Sequence, residues 1–129
     1  IMSEAARVEG PQAHASRGGV TPAPCIQPGS FNCAEGAEED MLAWYAQCRM
    51  PAMTRLPGCV RTRKLVSVAG WAKHAILYEF VSLEARNRYF VQHEDNPEVV
   101  AWGDRVVRTL THAPGSANLA CRLWPQVQP

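Results

Sequence analysis

The chain has 129 residues, a net charge of +1, 47% hydrophobic residues and 19% charged ones. That length supports one domain with a real core, but not two. The balanced charge removes any global attraction to nucleic acid, and no apolar run approaches the roughly 18–20 residues that span a bilayer.

The first residues lack a basic stretch followed by an apolar one, so no secretory leader is expected. Five cysteines, Cys25, Cys33, Cys48, Cys59 and Cys121, have no CxxC spacing. An odd count argues against a complete disulfide framework, and reduced thiols in a cytoplasmic protein are the expectation.

Residues 1–36 carry four prolines and five glycines among Ser and Ala. Residues 1–18 read as a flexible tail, and truncating them is expected to leave the fold intact. A single domain then runs over 19–129. Its first strand is a doubtful edge segment near Val20 or over Cys25–Gln27, continuing near Phe31.

Glu35, Glu38, Glu39 and Asp40 then open a helix, where acids complement the N-terminal dipole. Met41, Tyr45 and Cys48 follow at helical spacing. Pro51 should end this helix or start a second short turn. Residues 58–81 read as a hairpin of two strands around Gly70-Trp71. Val60, Thr62, Lys64 and Val66 share one face of its first strand. His74, Ile76, Tyr78 and Phe80 share one face of its second.

Ser82 is a plausible cap for a helix over Leu83–Gln92. Asn96-Pro97-Glu98 restarts a helix reaching about Thr111, with an apolar stripe of Val99, Trp102, Val106 and Leu110. Alternation over Asn118–Trp124 predicts a last strand. The order is βαββαβ: an α+β, ferredoxin-like fold with an antiparallel sheet and helices on one face.

The stretch Glu38–Pro125 resembles the dimeric α/β-barrel superfamily, most closely its EthD-like small proteins of unknown function. The resemblance rests on Trp44-Tyr45, Met50-Pro51-Ala52-Met53, Leu56-Pro57-Gly58 and Ala75–Phe80. It implies a homodimer closed by two sheets, with a small hydrophobic or aromatic ligand held inside. Many relatives place a His before the proline after the first helix. This chain has Met50 there, so that role does not carry over. Activities in the superfamily range from cofactor-free oxygenation and polyketide cyclisation to haem chemistry, and the fold does not choose among them.

Candidate groups are weighed against plain packing. His74, on the face of Tyr78, is a candidate base, and Tyr78 a candidate holder of an enolate oxygen. The bland account is a solvated histidine at the sheet end. His93, beside Glu94 and Asp95, is a second candidate base, with helix-end stabilisation as its plain account; His112 has the same one. Trp44 and Tyr45 are candidate substrate-binding aromatics, although burial already explains their spacing. Arg61 is a candidate for binding a substrate carboxylate or phosphate, within a basic cluster with Arg63 and Lys64 that reads more simply as a solvated strand face.

The scattered Cys and His spell no zinc site, and no cofactor is expected. A haem would need His74, His93 or His112 as axial ligand. No phosphate loop, nucleophile elbow or dinucleotide fingerprint is present. Two functions follow. The first is a metal-free enzyme that abstracts a proton from an aromatic or polyketide-like compound, as in oxygenation, cyclisation or isomerisation. The second is a non-catalytic dimeric binding or scaffolding module. Neither reading involves nucleic acid or a membrane.

Overall fold

The computed structural model describes residues 2–19, 23–94 and 97–122. It contains β1 (Met2–Glu9), a 3-10 segment (Ala13–Gly19) and β2 (Cys25–Cys33). Next come α1 (Glu38–Trp44), a π-helical turn (Tyr45–Arg49) and α2 (Met50–Thr54). The hairpin β3 (Cys59–Ser67) and β4 (His74–Phe80) precedes α3 (Leu83–Glu94) and α4 (Pro97–Val107). Two short strands follow, β5 (Leu110–His112) and β6 (Ala120–Cys121).

The sheet runs β1-β3-β4-β2-β5, with β6 also paired to β2, and every pairing is antiparallel. From β3 to β5 this is the order of a ferredoxin-like βαββαβ unit. Its fourth strand is broken into two pieces, each pairing with half of β2. The extra strand, β1, lies outside the hairpin.

That strand corrects the reading of residues 1–18 as a flexible tail. All eight residues of β1 are exposed, so burial does not hold it. Its backbone pairs with β3 from Met2 opposite Ser67 to Glu9 opposite Arg61. Its carboxylates add ion pairs, Glu9 to Arg61 at 3.1 Å and Glu4 to Arg63 at 3.8 Å. Hydrophobic periodicity cannot reveal a strand fixed by backbone pairing and charge.

Of the two expectations for Pro51, the structure has the second, a short further helix that it begins. Its missing N–H and its ring conflict with the carbonyl four residues back. The backbone widens into the π turn and resumes as α2, with Pro51 in the first turn. Thr54 secures that turn by donating its hydroxyl to the carbonyls of Met50 and Pro51.

The core lies between the sheet and the helices. Phe31 from β2 and Ile76, Tyr78 and Phe80 from β4 meet Met41, Trp44, Tyr45, Met50 and Met53. Val106 joins from α4, while Trp102 packs at the border of the cluster, half-buried. The helix stops at Val107 rather than at Thr111, which hands Leu110 to β5. Asn96, expected as its cap, lies outside the described residues, as does the side chain of Val99; the expected last strand is described as far as Arg122 and contains β6.

Register fixes the faces of the hairpin. Thr62, Lys64 and Val66 stand opposite Tyr78, Ile76 and His74, toward the helices. Arg61, Arg63 and Leu65 stand opposite Glu79, Leu77 and Ala75, on the other face. That second face is therefore less apolar than the sequence suggests, and its charges are paired. Arg61 is 0% exposed and Glu79 is 0% exposed. Among the described residues, no helix is long and apolar enough to cross a membrane.

Candidate functional site

His74 opens β4, where Asn32 of β2 pins the hairpin. The Asn32 side-chain amide donates to the Trp71 carbonyl at 2.8 Å and accepts from the Lys73 N–H at 2.8 Å. This anchoring sets His74 directly opposite Phe31 in the β2–β4 pairing. The two rings stack with centroids 5.9 Å apart.

Lys64 reaches His74 from β3. Its Nζ lies 3.0 Å from His74 Nδ1 and donates to the Leu65 carbonyl at 2.9 Å. It also lies 5.8 Å from the centre of the Phe31 ring. An ammonium has donors only, so in the charged state of Lys64 the Nδ1 atom accepts and the imidazole carries its proton on Nε2. That nitrogen stands 3.2 Å from Glu38 Oε1. The contact is an electrostatic one, because Nε2 has no aligned hydrogen-bond partner.

The three groups form a line from the interior to the surface. Lys64 is 3% exposed, His74 is 1% exposed, and the Glu38 side chain is 43% exposed. Burial lowers the Lys64 amine to about 8 against the pull of Glu38. Burial and the neighbouring Lys64 likewise lower His74, so the imidazole is neutral at pH 7. Lys73, 2.9 Å from Glu38 Oε1, holds that carboxyl below the usual range through its hydrogen bond. An amine with a lowered pKa thus touches a neutral imidazole, which faces an ionised carboxylate, an arrangement chemically suited to proton transfer.

Tyr78 does not share this cluster. It faces the same side as His74, but four residues along a strand is about 13 Å. Its hydroxyl instead accepts a hydrogen bond from Arg49 Nε at 2.9 Å. The Arg49 guanidinium lies against the rings of Trp44, Tyr78 and Phe90, at 5.8, 5.3 and 5.6 Å. Tyr45 stacks on Phe31 at 5.7 Å and meets Trp44 edge-on at 4.7 Å. Burial pushes its phenol well above the usual value. Both candidate substrate-binding aromatics are thus buried in the core.

Arg61 lies on the opposite face of the sheet and is engaged by Glu79 and Glu9. The expected solvated basic face does not exist: Arg61 and Lys64 are buried and point to opposite sides. His93 falls in the last turn of α3, and its side chain lies outside the described residues.

Two cavities lie away from the cluster. One of about 390 Å³ sits over the face opposite the helices, against Pro28, Leu65, Ala75 and Leu77. Another of about 350 Å³ lies beside the start of α3, against Gly58, Ser82 and Tyr89.

Sequence reasoning singled out His74 but not Lys64 and Glu38, which the structure sets against it. A signal was present. The chain has only two lysines, Lys64 and Lys73, against eleven arginines. Both lysines stand at the His74–Glu38 pair. Arginine stays charged in proteins, whereas a buried lysine readily loses its proton.

No family model matches the chain, and no curated protein matches it in sequence. Solved structures do share its fold. A variant of SnoaB, a cofactor-independent oxygenase from Streptomyces nogalater, aligns with a TM-score of 0.57 at 16% identity, over 81% of this chain and 100% of its own. An uncharacterised NIPSNAP domain protein from Burkholderia xenovorans aligns at 0.57 and 14% identity, over 78% and 96%. At such identities the likeness is one of fold, and it places the chain in the broad ferredoxin-like group.

Proposed function

We propose that the chain is a small-molecule enzyme that abstracts a proton from an aromatic or polyketide-like compound, without metal or cofactor. The observation that carries this reading is the Lys64–His74–Glu38 line. The neutral fraction of Lys64, which grows as pH rises through about 8, takes the proton of an activated C–H, and His74 relays it toward Glu38 and solvent. His74 therefore acts as the relay between base and surface. The fold shared with a cofactor-independent oxygenase agrees with such chemistry.

Anthrone is a suitable probe, since its methylene hydrogens are acidic and its carbanion reacts with dioxygen. Anthrone and dioxygen give anthraquinone and water, which balances without a further reagent. The protein is expected to accelerate this conversion, followed by absorbance. Lys64→Met and His74→Phe should each reduce the rate at least tenfold while remaining folded by circular dichroism. Full activity in both variants would overturn the assignment.

A second reading, a non-catalytic binding module, draws on one observation: large side chains occupy the space between sheet and helices. No acceleration by the wild-type protein would favour it.

In either reading the apolar part of the open sheet face, around Leu65, Ala75 and Leu77, packs against a second copy of the chain. Light scattering at micromolar concentration should give twice the chain mass, and a monomer mass would contradict the dimer.

A further inference from the structure

We infer that Cys25 and Cys121 form a dithiol site that a low-molecular-weight disulfide, such as glutathione disulfide, converts into a cross-strand bond between β2 and β6. The two residues stand directly opposite each other in the antiparallel pairing of these strands. The neighbouring backbone bond runs from the Arg122 N–H to the Pro24 carbonyl at 2.9 Å. Arg122 and Pro24 therefore occupy a hydrogen-bonded position, which leaves Cys25 and Cys121 at the alternate one. There the Cα atoms of a pair approach to about 4.5 Å and the side chains lie closest. That separation falls within the span of about 4.4–6.8 Å that a disulfide bridges.

Opposed residues share a face, so both thiols project to the same side of the sheet. Cys25 is fully buried in the core, whereas Cys121 is exposed, and both are free. The thiols are close enough to influence each other. Burial first, and then Cys121, push the Cys25 thiol up to about 11.

This asymmetry sets the order of events. The exposed Cys121 thiolate attacks one sulfur of glutathione disulfide, whose S–S bond breaks and releases one glutathione thiolate. The Cys25 thiolate then attacks the Cys121 sulfur of the mixed disulfide and expels the second glutathione. Two protein thiols and one glutathione disulfide become one protein disulfide and two glutathione thiols. The protons of both cysteines end on the two released thiols. Because Cys25 gives up its proton reluctantly, ring closure is the slow step and quickens as pH rises. The bond ties the two-residue strand β6 to β2 inside the sheet.

The remaining cysteines serve as internal controls. Cys59 is buried and pushed up to about 12, and Cys33 lies 3.6 Å from the Thr109 hydroxyl. None of them stands opposite another cysteine in the sheet pairings.

The test is incubation of the whole chain with excess glutathione disulfide at pH 8, then alkylation, digestion and mass spectrometry. The expected product is a peptide pair joined through Cys25 and Cys121, with no glutathione retained on either. Cys121→Ser, a change at an exposed position, should abolish that product and leave Cys25 unmodified. A mixed disulfide that persists on Cys121 would overturn the inference. So would a crosslink to Cys33, Cys48 or Cys59, or the absence of any reaction.

Discussion

Glu79→Ala is expected to cost about 3–5 kcal/mol of stability, the scale on which a buried ion pair fails when one partner is removed. Glu79 lies on β4 with its side chain 1% exposed, directly opposite the fully buried Arg61 of β3. Its Oε2 is 3.3 Å from Arg61 Nη1, and its Oε1 is 2.9 Å from Arg63 Nη2. Without Glu79, the partner left to Arg61 among the described residues is Glu9, whose side chain is 45% exposed and whose attraction water screens. Arg61 Nη2 already has no hydrogen-bond partner among the described residues, so little remains to compensate the stranded charge. Glu9→Ala should therefore cost far less, within about 1 kcal/mol. Urea melts of the two variants decide the matter, and equal small losses would show that solvent reaches Arg61.

Lys64→Met should behave in the opposite way. Lowering the amine from 10.5 to about 8 means that the folded protein disfavours the charged lysine relative to the unfolded chain. Below pH 8 that penalty is present in full, at about 3 kcal/mol for a shift of this size. The sign follows from proton counts. Between pH 8 and 10.5 the unfolded chain binds more protons at Lys64 than the native state does, so this contribution to stability rises with pH. At pH 7 the methionine variant should be at least as stable as the wild type. It removes the penalty and loses two hydrogen bonds, each worth about 1 kcal/mol. The wild type should gain on the variant by about 3 kcal/mol as pH rises to 10.5. Buried Cys25, Cys59 and Tyr45 also titrate in the alkaline range, but they do so in both proteins and cancel. A stability difference independent of pH would contradict the burial of Lys64.

A buried charge that costs stability is hard to read from a sequence, whereas a packed strand pair is easy. The hairpin was legible, because β-branched and aromatic residues alternate on β3 and β4 and need one register to bury one face. That register puts Lys64, Ile76 and His74 on the helix side. The βαββαβ order was also legible from caps, prolines and periodicity. β1 was not, since exposed strands carry no hydrophobic signature, and Glu4 and Glu9 find Arg63 and Arg61 only after folding. Of the broken fourth strand, β6 falls within the expected Asn118–Trp124, whereas β5 was lost to the helical stripe, which Leu110 extends on paper past the real end at Val107.

Within the site, His74 was legible by type and position. Its proposed partnership with Tyr78 failed on simple geometry, since four residues in a strand separate two side chains too far to share one reacting atom. Glu38 was read as a helix-dipole acid, and it also faces His74 across 3.2 Å. Lys64 was grouped with Arg61 and Arg63 as surface charge. Alternation along β3 separates it from both, and turns it into the one amine buried beside an imidazole.

The state of that amine is the centre of the account, and the presence of only two lysines makes it directly observable. Lysine labelled with carbon-13 at the ε position should give two side-chain signals, and Lys64→Met should remove one of them. In the wild type that signal should titrate near pH 8. Its midpoint should rise toward the ordinary lysine value of about 10.4 if burial is relieved by unfolding. A Lys64 signal that titrates at about 10.4 in the folded protein would mean a solvated ammonium. It would contradict the proton relay on which the proposed enzyme depends.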